Sequence, residues 1–202
     1  MLRPRIIPCL LMSKKGLIKT VKFNNPKYIG DPINAVKIFN EKKVDELILL
    51  DIDASRNKVK PDFKILKVIA NESRMPLTYG GGISTVEDAK QIISLGFEKI
   101  SVSHSAIKDI NFIRDLSNEV GSQSVVFCLD YKKNFFSKKN IIYSINSKIK
   151  HNLNILDLAK KAEDLGAGEI MFNSIDRDGT MQGYDIEFAQ KIRNIISTQI
   201  SF

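Results

Sequence analysis

"ELILLDIDAS", residues 46–55, and "EIMFNSIDRDG", residues 169–179, decide the fold. Both open on Glu, run through a strand-length apolar stretch and reach a pair of aspartates: Asp51 and Asp53, then Asp176 and Asp178. The second copy starts 123 residues after the first. Another repeat agrees: "IIPCLLMSKK" (6–15) and "VVFCLDYKK" (125–133) set Cys9 and Cys128 119 residues apart. Strand one therefore corresponds to strand five, and strand two to strand six. Four βα modules taken twice give the eight modules of a (β/α)8 TIM barrel. One asymmetry stands inside the repeat: Asp130 follows the second Cys-Leu, and Leu11 follows the first.

Working outward, strand-length apolar runs fall at Arg5–Leu11, Glu46–Ile52, Pro76–Tyr79, Lys99–Ser103, Ser124–Leu129 and Glu169–Asn173. They are continuous in Ile, Val and Leu, as in strands buried on both faces. Between them lie the helical patterns "DPINAVKIFNEKK", "DFKILKVIANES", "TVEDAKQIISLG", "NFIRDLSNEV", "NILDLAKKAEDLG" and "DIEFAQKIRNII". Asp31 before Pro32, Thr85 with Asp88 and Asn154 before Ile155 supply helix starts. The result is an α/β chain with a parallel sheet. "NFFSKKNIIYSINSKIKHN", residues 134–152, breaks the rhythm and reads as a hairpin-like excursion after strand five, on the face where such proteins carry their sites.

The eight-module pattern calls for roughly 240 residues. The expectation is one phosphate-binding domain over 1–202 with about six βα units, lacking roughly the last two, and with "TQISF" opening a seventh strand. Six strands do not follow an eight-strand closure. Exposed edges are then expected to drive association of the isolated chain.

At 43% hydrophobic, the chain carries a sizeable core. No apolar run reaches the roughly 18 residues of a membrane span, and "MLRPRIIPCLLM" lacks the cleavage pattern of a signal peptide. Cys9 and Cys128, both in apolar runs, read as reduced, buried thiols of a cytoplasmic protein. The net charge of +8 is spread over lysines without an aromatic-interleaved basic stripe, so nucleic acid is not an expected partner.

In a parallel α/β fold, chemistry gathers beyond the C-terminal strand ends. Leu11, Asp51, Asp53, Gly80–Gly82, Ser103, His104, Asp130, Asp176 and Asp178 fall there. Carboxylates at one mouth can act as general acid and base, although strand-end aspartates as often cap the next segment. "YGGGIST" offers backbone N–H groups between a strand and a helix, an anion site suited to phosphate; the alternative is a tight turn. At the opposite mouth Arg5, Glu46, Lys99 and Glu169 stand at strand starts, and such charges usually form structural or solvated pairs. His104 and His151, the only histidines, lie far apart in sequence without ligand spacing, so neither metal nor cofactor is expected.

Taken together, "RIIPCL", "GDP", "DELILLDIDAS", "PLTYGGGI", "VEDA", "KISVS", "GSQSVV", "LGAGEI" and "SIDRDGT" resemble the cyclase subunit of imidazole glycerol phosphate synthase, and the likeness runs over the whole chain. The resemblance implies a heterodimer with a glutaminase subunit. Ammonia enters at the barrel bottom and attacks a bisphosphorylated ribulosyl substrate in a cyclase-lyase step of histidine biosynthesis. It implies catalytic roles for Asp130 and Asp178. It also implies phosphate or substrate contacts for Lys19, Gly81, Gly82, Ser103, Asn173 and Gly179, and an ammonia gate of Arg5, Glu46, Lys99 and Glu169. The chain departs from the pattern twice: Leu11 replaces the first aspartate of the acid–base pair, and Ser103 replaces an asparagine. Leu cannot move a proton. An intact gate beside a broken pair suggests a paralogue that channels ammonia to a third, sugar-modifying enzyme of surface (lipo)polysaccharide synthesis. A non-catalytic scaffold that activates the glutaminase is the other alternative.

Overall fold

The computed structural model describes residues 4–134, 137 and 139–202. The first three residues of the N-terminal stretch, and Phe135, Phe136 and Lys138 of the excursion, lie outside the described residues. In chain order the first elements are β1 (Cys9–Ser13), β2 (Gly16–Val21), β3 (Asn24–Gly30), α1 (Pro32–Lys42), β4 (Leu47–Asp51), α2 (Ala54–Asn57), α3 (Phe63–Glu72), β5 (Leu77–Gly80), α4 (Val86–Ser94) and β6 (Lys99–Val102). Then come α5 (His104–Lys108), α6 (Asn111–Val120), β7 (Val125–Lys133), β8 (Asn140–Ser144), β9 (Ile149–His151), α7 (Ile155–Asp164), β10 (Glu169–Ser174), α8 (Ile186–Arg193) and β11 (Gln199–Ser201). Two compact units result: residues 1–19 with 27–101, and residues 20–26 with 102–202.

In the first unit the continuous apolar runs become parallel neighbours. β1 pairs with β4, β4 with β5, and β5 with β6. Leu47, Leu49, Leu77, Tyr79 and Ile100 are buried, and Val36, Leu66, Ile69, Ala89 and Ile92 of the helices are buried with them. Asp31 caps α1 by accepting from the N–H groups of Ile33 and Asn34, and Pro32 sits where no N–H is needed. The capping box at α4 is complete: the Thr85 side chain accepts from Asp88 N–H, and the Asp88 side chain accepts from Thr85 N–H.

In the second unit β11, β10 and β7 run parallel; β8 pairs antiparallel with β7, and β9 antiparallel with β8. Tyr131, Phe172, Phe188 and Phe202 form its aromatic core; Tyr131 and Phe188 lie 4.7 Å apart, and Phe172 meets Phe188 edge-on at 5.5 Å. β11 is the seventh strand that "TQISF" opens.

The structure corrects the sequence reading in four places. β1 begins at Cys9 rather than Arg5, because Pro4 and Pro8 have no N–H to give a ladder. Leu11 and Asp130 lie inside β1 and β7, not at their ends, since each strand continues into an antiparallel hairpin. The hairpin after strand five (β8–β9) was legible; its counterpart after strand one (β2–β3) was not. Finally, Cys128 is buried but Cys9 is exposed. β2 pairs with β1 only from Leu11 onward, so nothing from β2 covers the start of β1.

Candidate functional site

Strand register sets the chemistry of the two repeated segments. In the first unit Leu11 stands opposite Leu50 on β4 and opposite Ile18 on β2. In the second, Asp130 stands opposite Asn173 on β10, and the Asn173 amide donates to the Asp130 carboxylate at 3.1 Å. Leu50 and Asn173 are themselves repeat equivalents, 123 residues apart. The difference at position 11 thus belongs to a whole row: Leu50, Leu11 and Ile18 are apolar where their counterparts are polar. Burial pushes the Asp130 carboxyl up to about 7; the Asn173 amide partly offsets this, and the negative charge of Asp178 adds to it. A carboxyl poised there can give or take a proton near neutrality. Cys128, two residues back on the same strand face, places its Sγ 3.9 Å from the carboxylate.

The other strand-end aspartates largely hold the backbone. Asp51 accepts from the N–H groups of Asp53 and Ala54, and burial raises its pKa. Asp53 accepts from Ser13 Oγ at 2.7 Å. Asp176 accepts from Lys133 N–H. Asp178 accepts from Thr20 Oγ1 at 2.8 Å and Phe23 N–H at 3.0 Å, and its carbonyl accepts from Lys22 N–H. It therefore anchors residues 20–26, the tip of the β2–β3 hairpin, where Lys22, Phe23 and Asn25 have positive φ. Gly179 follows at φ +65°, pressed against the Thr20 carbonyl so that a Cβ has no room. Lys19, on the same hairpin, is exposed.

The glycine run is conformationally required. A Cβ on Gly80 would lie 2.7 Å from Leu50 Cδ2; Gly81 has φ +123° against the Asp51 carbonyl; Gly82 has φ +71°. Gly82 N–H is directed at Ser55 Oγ at 3.2 Å. The close packing accounts for the three glycines, and the loop still leads into the N-terminus of α4.

At the starts of the strands, Glu46 is 2% exposed. Its carboxylate accepts from Arg5 at 2.7 Å, from Lys99 at 2.8 Å and from Thr78 Oγ1 at 2.6 Å. Arg5 reaches it from before β1. This is a charge-assisted cluster around a buried carboxylate, with Arg5 reaching in from the surface, and Thr78 was missed in the sequence because nothing marks a strand threonine as facing a charge. Glu169, first residue of β10, is likewise buried at 2%.

Ser103 precedes α5 without capping it, and its buried Oγ makes no hydrogen bond. The two histidines, distant in sequence, meet. His104 Nδ1 lies 3.0 Å from Ser144 Oγ, and His151 Nε2 lies 2.8 Å from the same oxygen. Burial lowers both pKa values, with Lys108 and His151 adding to the effect on His104. Among the described residues no group of three or more His, Cys, Asp or Glu is placed to hold a metal ion, and no helix is long and apolar enough to cross a membrane.

Residues 5–202 match the model of a family described as "Histidine biosynthesis protein". The chain is 50% identical over 201 residues to "Putative imidazole glycerol phosphate synthase subunit hisF3" of Vibrio vulnificus (strain YJ016), covering 100% of this chain and 77% of that protein. It is 49% identical to "Putative imidazole glycerol phosphate synthase subunit HisF" of Leptospira interrogans, covering 100% and 79%. It is 38% identical over 200 residues to "Imidazole glycerol phosphate synthase subunit HisF" of Alkaliphilus metalliredigens (strain QYMF), covering 99% and 79%.

Proposed function

The chain belongs to the histidine biosynthesis protein family, whose fold is the TIM barrel, and from that premise we propose that it is the barrel subunit of a glutamine amidotransferase complex that passes ammonia to a sugar acceptor other than the bisphosphorylated ribulosyl substrate. The observation that carries this reading is a contrast within the chain. Arg5 and Lys99 both meet the buried Glu46 carboxylate, the arrangement that the gate reading asks for. The row around Leu11 is apolar from Leu50 to Ile18. A cyclase-lyase step that shuttles protons between two carboxylates has one of them at Asp130 and none at position 11. Losing one member of such a pair lowers the rate by about 10²–10⁴-fold. The glutaminase partner supplies ammonia, and a third, sugar-amidinating enzyme of surface polysaccharide synthesis completes the assembly.

Asp130, held near neutrality, favours a second reading in which the chain retains the cyclase-lyase reaction with that single group as acid and base. One experiment separates the two. The chain is combined with its glutaminase partner, and both glutamine hydrolysis and turnover of the bisphosphorylated ribulosyl substrate are measured, with glutamine and with ammonium salt. The expected outcome is stimulated glutaminase activity with cyclase turnover at least 100-fold below that of a two-aspartate relative. Equal cyclase turnover sinks the proposal in favour of the second reading. Glutaminase stimulation without amidation of a sugar by any third enzyme leaves the scaffold role.

A further inference from the structure

Ser144 Oγ stands between two imidazoles, and one hydroxyl has one hydrogen. His104 Nδ1 lies 3.0 Å from that oxygen, and His151 Nε2 lies 2.8 Å from it. Neutral rings satisfy the cluster as a chain: one ring N–H donates to Oγ, and the hydroxyl donates to the bare nitrogen of the other ring. The chain is complete whichever ring donates. A proton on the accepting ring reverses that end of it. Both rings then donate to Oγ, and the hydroxyl hydrogen loses its acceptor. Ser144 is fully buried, so no water takes the hydrogen, and an unpaired buried donor is costly.

The surroundings offer a cation no support. β8 carries no charged residue besides the ionisable Tyr143. α5 contributes Lys108, whose charge opposes a proton on His104, as does His151 itself. Asp109, next along the chain, accepts from Asn111. Lys148 and Lys150, beside His151, are exposed. Asp130 and Lys132 of β7 share the face of Tyr143, the opposite pleat from Ser144. On the Ser144 pleat β7 has the buried Tyr131, and Lys133, which pairs with Glu187. α7 packs on β8; its Asp157 and Lys161 are exposed, and its Glu163 and Asp164 pair with Lys160. Neither ring bonds a carboxylate among the described residues, and burial disfavours the charged form of both.

The segment held by these bonds has little else to keep it closed. β9 pairs with β8 alone. The turn between them sets Ile145, Asn146 and Ser147 at φ +52°, +53° and +62°, a conformation that a β-branched isoleucine disfavours. Ser147 Oγ is buried without a partner. Opening relieves both.

We propose that His104, Ser144 and His151 form a proton-operated latch, which holds the β8–β9 hairpin to α5 while both rings are neutral and releases it when they take up protons. Release frees Tyr143, the residue opposite Asp130, so the latch governs one border of that group. The inference stands whether or not the function proposed above is right.

The test is amide hydrogen exchange of the whole chain at pH 7.5 and pH 5.5, corrected for the intrinsic pH dependence of exchange. Solvated imidazoles titrate near 6.5. Excluding the proton from the closed form therefore raises opening by about 10-fold for one ring, and by up to about 100-fold for two, over that interval. The expected result is at least a 10-fold rise in opening at Ile142–Ser144 and Ile149–His151, with β10 unchanged. In His104→Asn/His151→Asn the rise is expected to vanish. Ser144→Ala is expected to open the hairpin several-fold already at pH 7.5. The latch is overturned if the wild-type hairpin exchanges alike at both pH values, or if the double variant keeps the rise. It is equally overturned if β10 opens in step with the hairpin, which makes the effect global, or if Ser144→Ala leaves neutral-pH opening unchanged, which removes the shared hydroxyl.

Discussion

Asp130 and Leu11 occupy equivalent strand positions, and their neighbours decide what each can do. Asp130 has a polar partner in Asn173 and a carboxyl held near 7 by burial, whereas Leu11 has Leu50 and Ile18. Asp130→Asn is expected to lower any turnover that uses this group by about 10²–10⁴-fold and to remove the pH-rate limb near 7. The same substitution is expected to stabilise the fold at neutral and higher pH. The carboxyl is raised in the folded chain, so the folded state binds more protons between the ordinary carboxylate pKa of about 4 and 7, and stability falls as pH rises through that window. Asparagine has no such dependence, and melting curves at pH 5 and pH 8 compare the two. Leu11→Asp is expected to leave cyclase turnover more than 10-fold short of a two-aspartate relative and to cost about 1–3 kcal/mol in urea unfolding, because the new carboxylate faces apolar neighbours. Full turnover from that single change refutes this account of the row.

At the scale of elements, the sheet strands and capped helices were legible because continuous apolar runs and Asp or Thr caps are local signals. The β2–β3 hairpin was not. Its strands are short, β3 opens on two asparagines and a proline and is largely exposed, and its turn relies on Lys22 and Phe23 at positive φ, residue types that do not announce a turn. Its anchor, Asp178, lies about 155 residues away and no spacing rule finds it. The meeting of His104, Ser144 and His151 was hidden for the same reason. That cluster pins the β8–β9 hairpin, whose turn carries three successive positive-φ residues, Ile145, Asn146 and Ser147. Both histidines have lowered pKa values in the folded chain, so the unfolded chain binds more protons below about pH 6.5. Stability is expected to fall as the pH drops below that value, and the slope to flatten in a His104→Asn/His151→Asn chain. An unchanged slope places the acid sensitivity elsewhere. In the glycine loop, Gly81→Ala is expected to destabilise by about 1–3 kcal/mol, from a disfavoured φ and collision with the Asp51 carbonyl.

At the scale of the molecule, the repeat was readable from Glu46 and Glu169, and both prove to be buried. Of the two readings, structural or solvated pairs, the solvated one does not hold for Glu46, because exposure is a property of packing, not of residue type. Glu46→Ala leaves Lys99 and Arg5 without their shared carboxylate and is expected to cost about 3–5 kcal/mol. Lys99→Ala is expected to reduce the product formed per glutamine hydrolysed in the partnered complex; an unchanged ratio makes the cluster structural only. The exposed start of β1 has a practical consequence. With Cys9 open to solvent and Cys128 enclosed, a thiol-directed dye should add once to the native protein and a second time only after unfolding. Cys9 lies on β1 opposite Ile48, two residues from Glu46, so the single dye becomes an optical reporter at the end of the sheet where the proposed glutaminase partner is expected to dock, readable without any substrate.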